Sequence, residues 1–334
     1  MVVCRRMRLY IFPSLVALIA CVAAYFWGGT HALFLVALLS ILETTLSFDN
    51  AVVNAKVLQR MDTKWQNRFL IWGIPIAVFG TRFVLPILIV SAAAGLSPYA
   101  VTLLAFFDPS QYGEELQNAH VAIAAFGSAF LMLVSLKYFF NNTKTVHWIG
   151  AIERHLSRWG GIGAIEIALV LTVLLTCAFF VPHEAATLLI AGLIGVVLFI
   201  VIEGVAQSFE MESSAAYGGA ALFVYLNVLD SAFSLDGVVG AFAITTNLPL
   251  IIAGLGIGAL FVRTFTISLV RANTLSTLIY LEHGAHWAIF GLALAMLGGI
   301  FVHVPETITG LIGLVFVVLA YWSSRREIRT LSNK

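Results

Sequence analysis

Apolar residues in this chain come in long unbroken runs separated by short polar stretches, with neither the alternation of strands nor the one-sided stripe of surface helices. Ten runs stand out, at about 9 to 27, 32 to 58, 69 to 94, 120 to 140, 163 to 181, 185 to 207, 218 to 246, 249 to 271, 284 to 302 and 307 to 323. At about 17 to 29 residues, they reach or exceed the length an α-helix needs to cross a bilayer, roughly 20 with a lower limit of about 17. The pattern predicts an all-α, polytopic transmembrane bundle of about ten spans. SPYAVTLLAFF (97 to 107) is too short to cross and is expected to be re-entrant or interfacial. The N-terminus has a basic segment and then an apolar run, as a signal peptide does, but another run follows closely, so residues 9 to 27 are read as the first span.

Composition agrees. Of 334 residues, 60% are hydrophobic and 10% charged, and the mean hydropathy is +0.99. A soluble domain carries about 25% charged residues. The net charge of +1 offers no electrostatic footprint for nucleic acid. Cys4, Cys21 and Cys177 have neither metal-ligand spacing nor an even count. Basic residues set an orientation: Arg5, Arg6 and Arg8, then Lys56, Arg60, Lys64 and Arg68, then Lys144, Arg154 and Arg158, then Arg325, Arg326, Arg329 and Lys334 all fall on one side of a ten-span bundle. Both termini are therefore expected in the cytoplasm, in the inner (plasma) membrane with lipid around the chain, and Asp108, Glu114 and Glu115 outside. The loop at 208 to 217 fits poorly, with Glu210 and Glu212 and no basic residue. A homo-oligomer is left open.

Two of the runs are related. ETTLSFDNAVV (43 to 53) and DSAFSLDGVVG (230 to 240) align without a gap at an offset of 187 residues, and a lone arginine follows each, Arg82 and Arg263. In the expected topology the second span runs inward and the seventh outward, so the repeats are inverted, as in many secondary transporters. The chain is read as one transmembrane domain, 1–334. Its repeat halves are roughly 31–140 and 218–302, with connecting helices at 163–207 and a final helix at 307–323.

The motifs place Glu43, Asp49, Asp230 and Asp236 in apolar spans. Burying four carboxylates there costs on the order of 10 kcal/mol, which points to a functional site. Residues six apart diverge by about 120° on a continuous helix. An unwound turn over Ser47 to Asn50 would let Glu43 and Asp49 meet one ligand, and Gly237 is permissive for a similar break in the second copy. With Arg82 and Arg263 facing the site, four negative and two positive charges leave a balance that one divalent cation or two protons would match. Carboxylate, Ser47, Ser234, Asn50 and carbonyl oxygens suit Mg²⁺, Ca²⁺ or Mn²⁺, and no thiolate cluster is present for softer metals.

Other polar residues admit blander roles. Glu203, in LFIVIEGVAQSFE, joins the site or forms a separate proton relay. Glu166 and Lys137 lie near span ends, where side chains snorkel. His283 and His286, beside Glu282 in LEHGAHW, are either metal ligands or interfacial residues, while His183 and His303 read as loop residues.

LSFDNAVV with Glu43 upstream, and FSLDGVVGAFAITTN with Asp230 upstream, resemble the two signature motifs of the TerC family of membrane proteins. PLIIAGLGIGALFVRTFTISLVRANTL and IYLEHGAHWAI resemble a less characterised branch of that family, and the likeness covers roughly residues 30 to 325. The resemblance implies inverted repeats akin to the lysine-exporter superfamily and, for several members, manganese export. It carries over the acidic motif positions Glu43, Asp49, Asp230 and Asp236, with Asn50 and Ser234 adjacent; the candidate metal site is then Glu43, Asp49, Asn50, Asp230 and Asp236, with Ser47, Ser234, Asn227, Arg82, Arg263 and Glu203 in support. Asn227 stands where the second motif has a glutamate, one negative charge fewer. The expected function is proton-coupled export of a divalent cation, Mn²⁺ favoured, and not enzymatic. Export of a small organic solute such as an amino acid, or a non-transporting role in tellurite or stress resistance, are the alternatives. An intramembrane aspartic protease using Asp49 and Asp236 is disfavoured, because no Gly-x-Gly-Asp motif is present.

Overall fold

The computed structural model describes residues 2–211, 215–272, 277–302 and 304–332. Glu212, His303 and Lys334 lie outside the described residues, as do the side chains of Cys4, Arg5, Arg6, Arg8, Glu210 and Asp236. All described elements are helical.

Helix α1 (Val2–Leu46) consists of two limbs that meet at Gly28 and Gly29. Gly29 sits at φ 69°, ψ −156°, a region open in practice to glycine alone. This bend falls at the gap expected between the first two spans. A second interruption, at Ser47 (φ −95°, ψ 16°), separates α1 from α2 (Phe48–Gln59). The Ser47 hydroxyl donates to Glu43 Oε1 and the Asp49 carboxylate accepts from the Asn50 N–H, both at 2.9 Å. Such local side-chain bonds compete with the helical ladder. The break is smaller than the sequence suggested. Ser47 N still donates to Glu43 O and Ala51 N to Ser47 O, so one residue kinks instead of four unwinding.

Helix α3 (Thr63–Pro75) begins at the Asp62 cap, which accepts from Trp65 N at 2.9 Å. It passes into a π-helical segment, Ile76–Val84, and then α4 (Leu85–Ala94). The two limbs, Thr63–Gly73 and Ile76–Ala92, are bent by 50°. Pro75, which has no N–H and crowds the preceding turn, stands at the bend. The short apolar stretch at 97 to 107 is α5 (Pro98–Phe107), ten residues long, followed by the polar α6 (Pro109–Asn118). Helices α7 (His120–Phe139), α8 (Gly150–Trp159), α9 (Ile165–Phe180), α10 (Ala185–Met211), α11 (Ala215–Ile244), α12 (Leu248–Arg271), α13 (Leu281–Gly299) and α14 (Glu306–Ser332) complete the chain.

By length and composition, five helical stretches are able to cross a membrane: Leu9–Leu46, His120–Phe139, Ala185–Val205, Gly219–Phe242 and Leu248–Arg271. The bent pair makes a sixth if counted as one span, while α5 and α9 are apolar but shorter. Large apolar side chains on the outside, such as Phe179 (83% exposed), Phe180, Ile190 and Val197, leave this surface unsuited to water. These features suggest a multi-pass membrane protein. Helices α7 and α12 are the most enclosed of the long apolar ones. α12 packs along α1, and α7 packs against α10 and α13.

Candidate ion site

Four glycines decide how closely the helices meet around the acids. Gly254 and Gly258, a G-x-x-x-G pair on α12, face Leu39 and Glu43 on α1, and a Cβ at Gly258 would overlap the Glu43 side chain. Small residues at this spacing let helix backbones approach closely. Gly237 of α11 lies against Glu43, where a Cβ would stand 3.1 Å from Oε2. Gly313 of α14 faces the Asp49 carboxylate, and a Cβ there would stand 3.5 Å from Oδ2. The role assigned to Gly237 therefore changes. α11 runs unbroken from Ala215 to Ile244, and Gly237 provides close approach, not a break.

The acids fall into two arginine-bound pairs and a remainder. Glu43, 2% exposed, forms an ion pair with Arg82 and accepts from Ser47. Arg82 belongs to the π-helical segment, and its side chain folds back onto the Ala77 carbonyl. Arg82 Nη1 donates to it at 2.7 Å and Thr81 at 2.6 Å. Asp230 accepts from Asn50 Nδ2 at 2.8 Å, and its other oxygen lies 3.6 Å from Arg263 Nη2. Arg263 is held in turn by the Phe69 carbonyl at 2.8 Å and by the Phe69 ring, 4.2 Å away. Gly73 leaves room for this guanidinium, since a Cβ there would overlap it.

Both arginines thus face the acids, each pairing within its own sequence repeat. Contacts between the motifs include Asn50 with Asp230 and Glu43 with Gly237.

Asp49, also 2% exposed, has no cationic partner among the described residues and accepts the Asn50 N–H. Glu43, Ser47 and Asp49 share one cavity of about 10 Å³ with Phe233, Gly237, Leu292 and Gly313. A second cavity of the same size, bounded by Ser47, Asn54, Arg82, Asp230 and Arg263, adjoins it through Ser47. Each is about the volume needed for one water-sized particle. Among the described residues, four buried oxygens have no hydrogen-bond partner: Asn50 Oδ1, Asn54 Oδ1, Asn227 Oδ1 and Ser234 Oγ. Asn227 spends its amide N–H on the Phe223 carbonyl at 2.7 Å. Among the described residues, no three His, Cys, Asp or Glu side chains are grouped as a metal-binding set. Any cation here would lean on Asp49 and neutral oxygens, together with whatever Asp236 adds.

Glu203 sits elsewhere. It lines an open recess of about 460 Å³ with Tyr225, Arg60, Lys56, Glu282 and His286. Lys56 and Glu282 form an ion pair at 2.8 Å, and Lys137 meets Glu166 at 3.4 Å with its side chain 47% exposed, in keeping with snorkelling. The two histidines of LEHGAHW are buried and engaged by neighbouring side chains. His286 stacks on Tyr138 at 3.7 Å, and His283, 3% exposed, reaches Glu153 Oε2 through Nδ1 at 2.7 Å.

Glu153, on the loop helix α8, has no exposed surface, and the sequence reading missed it. Its carboxylate also accepts from Trp287 Nε1 at 3.0 Å, Trp148 N at 3.2 Å and Lys144 Nζ at 3.2 Å. Burial raises its pKa, but the His283 bond and charge, the Trp287 bond and Lys144 together hold it down to about 2. No local signal marks it, because its neighbours in sequence are basic. The glycines at 254 and 258 could have been found from their spacing.

Fold and site together define an all-helical bundle, of membrane-spanning character by its apolar helices, enclosing a buried acid–arginine centre. The chain belongs to the family described as "Protein of unknown function (DUF475)", which it matches over residues 48–331. No curated protein and no solved structure matches it.

Proposed function

We propose that this protein is a secondary transporter that exports a divalent cation, Mn²⁺ above all, in exchange for protons. The observation that carries the reading is the isolation of Asp49. Arg82 and Arg263 neutralise Glu43 and Asp230, which leaves Asp49 and, by sequence, Asp236 as the remaining motif carboxylates. Two protons or one divalent cation balance that charge, and competition between them couples the two movements. The cavity beside Asp49 is ion-sized and is also lined by Glu43 and Ser47, whose carboxylate and hydroxyl oxygens are ligands of the kind hard cations take. On this reading the chain crosses the plasma membrane ten times with both termini cytoplasmic, and two inverted repeats meet at the site. The resemblance of both motifs to the TerC family supports it.

An organic solute such as an amino acid finds little support, since two cavities of about 10 Å³ hold no such molecule. A non-transporting role in stress resistance predicts that the acids can be neutralised without consequence.

The test is cellular manganese content with wild type and with Asp49→Asn. Wild type is expected to lower it and the variant to leave it at the level of cells without the protein. Unchanged Mn²⁺, Mg²⁺ and Ca²⁺ content on wild-type expression would overturn the proposal.

A further inference from the structure

Helix α14 has one face in the bundle and one face out. Val317, Ala320 and Ser324 are buried, and the Ser324 hydroxyl accepts from Tyr280 N at 2.9 Å. Gly284 and Gly291 of α13 receive this face, since a Cβ at either would press on Ala320 or Ile312.

The opposite face reads differently along its length. Leu311, Val315 and Leu319 are each at least half exposed, Trp322 is 71% exposed, and Arg325, Arg326 and Arg329 are exposed beyond it. At 1.5 Å per residue, the arginines stand about 5 to 10 Å past Trp322 along the axis. A bilayer leaflet has the same order: hydrocarbon, then an interfacial layer where tryptophan concentrates, then phosphates.

Two observations bear on what covers this face. Among the described residues, none of the three arginines has an acidic partner within ion-pair distance, Glu327 included. A recess of about 640 Å³ runs beside the helix, lined by Leu319, Tyr321, Trp322 and the three arginines. That is far more than a bare anion needs, since about 10 to 15 Å³ of such space holds a water. The charge thus calls for an anion, and the aliphatic stripe leading to it for a hydrocarbon tail on the same molecule.

We propose that this face of α14 docks an anionic membrane phospholipid. Its phosphate sits between Arg325, Arg326 and Arg329, whose planar guanidinium forks match phosphate oxygens. One acyl chain lies along Leu319, Val315 and Leu311, and Trp322 marks the glycerol level. The inference rests on the membrane-spanning reading of α14 but not on the cation proposed for Asp49, so either can fail alone.

The experiment uses the full-length protein in a neutral detergent, with fluorescent phosphatidylglycerol and phosphatidylcholine as probes and inorganic phosphate as competitor. Wild type is expected to bind phosphatidylglycerol in preference to phosphatidylcholine, with equimolar phosphate displacing neither. Arg325→Gln/Arg326→Gln/Arg329→Gln is expected to weaken phosphatidylglycerol binding about one hundredfold, from roughly fivefold per arginine near a lipid surface. Arg154→Gln/Arg158→Gln, on another basic segment, is expected to leave it unchanged. If the glutamine variant does not fold, Arg325→Lys/Arg326→Lys/Arg329→Lys keeps the charge, removes the forks and is expected to bind more weakly than wild type. Equal binding of the two lipids by wild type would overturn the proposal. So would full affinity in the variants, or displacement by phosphate, which would make the site one for a free anion.

Discussion

Glu153→Gln removes one charge and little volume from the most completely enclosed carboxylate on the loop side of the protein. In the wild type one oxygen accepts from Trp287 and the other from His283, Trp148 and Lys144. An amide offers one acceptor and one donor, so at least one of these groups meets an N–H in place of an oxygen. A depression from 4.5 to about 2 corresponds to about 3 kcal/mol of stability at neutral pH. The sign follows from the direction of the shift. A carboxylate whose folded pKa is lowered contributes fully above about 4.5 and loses that contribution as pH falls toward 2. With about 2 cal/mol/K of unfolding entropy per residue, 3 kcal/mol lowers the melting temperature by roughly 4 °C. Tryptophan-fluorescence melting of wild type and variant between pH 3 and 7, in one detergent, measures it. The variant is expected to melt roughly 4 °C lower at neutral pH and to approach the wild type in acid. If the two proteins melt together at pH 7, or their gap stays constant down to pH 3, Glu153 does not hold the loop as described.

Three further outcomes follow from packing around the acids. Gly258→Ala places a methyl into the Glu43 side chain and is expected to cost about 1 to 3 kcal/mol by overpacking, seen as a lower melting temperature. Gly313→Ala makes only ordinary contact with Asp49, so it is expected to melt with the wild type while filling the ion-sized cavity and abolishing the effect on cellular manganese. A Gly313→Ala protein that still lowers manganese would remove that cavity from the pathway. Arg263→Lys keeps the charge beside Asp230 but loses the fork that also binds the Phe69 carbonyl; a loss of about 2 kcal/mol is expected in thermal melting, and wild-type stability would refute that bond.

Much of the architecture was legible in the apolar runs. Burial in hydrocarbon and helical hydrogen bonding are satisfied by residues close in sequence, so a run of about 20 apolar residues announces its helix wherever the rest of the chain goes. The runs at 120 to 140 and 249 to 271 became α7 and α12 almost to the residue, and the bend between the first two runs fell on Gly28 and Gly29. The charges of Glu43, Asp49, Arg82, Asp230 and Arg263 were conspicuous for the same local reason. They stand in otherwise apolar stretches, and all five are buried.

Only tertiary packing decided what those charges do. Asn50 meets Asp230 across 180 residues, and Glu43 reaches Arg82 across 39, contacts set by how closely Gly258 and Gly237 let their helices approach. The break expected over four residues shrank to Ser47 because side-chain bonds from Ser47 and Asp49 sufficed to bend the helix. Glu153 shows the limit from the other side. It lies in a charged loop where a glutamate draws no notice, and it became a buried anchor only when α8 folded against His283 and Trp287. A hydropathy pattern reports the environment a segment needs, whereas the partner of a buried charge depends on which distant side chains share its dry space.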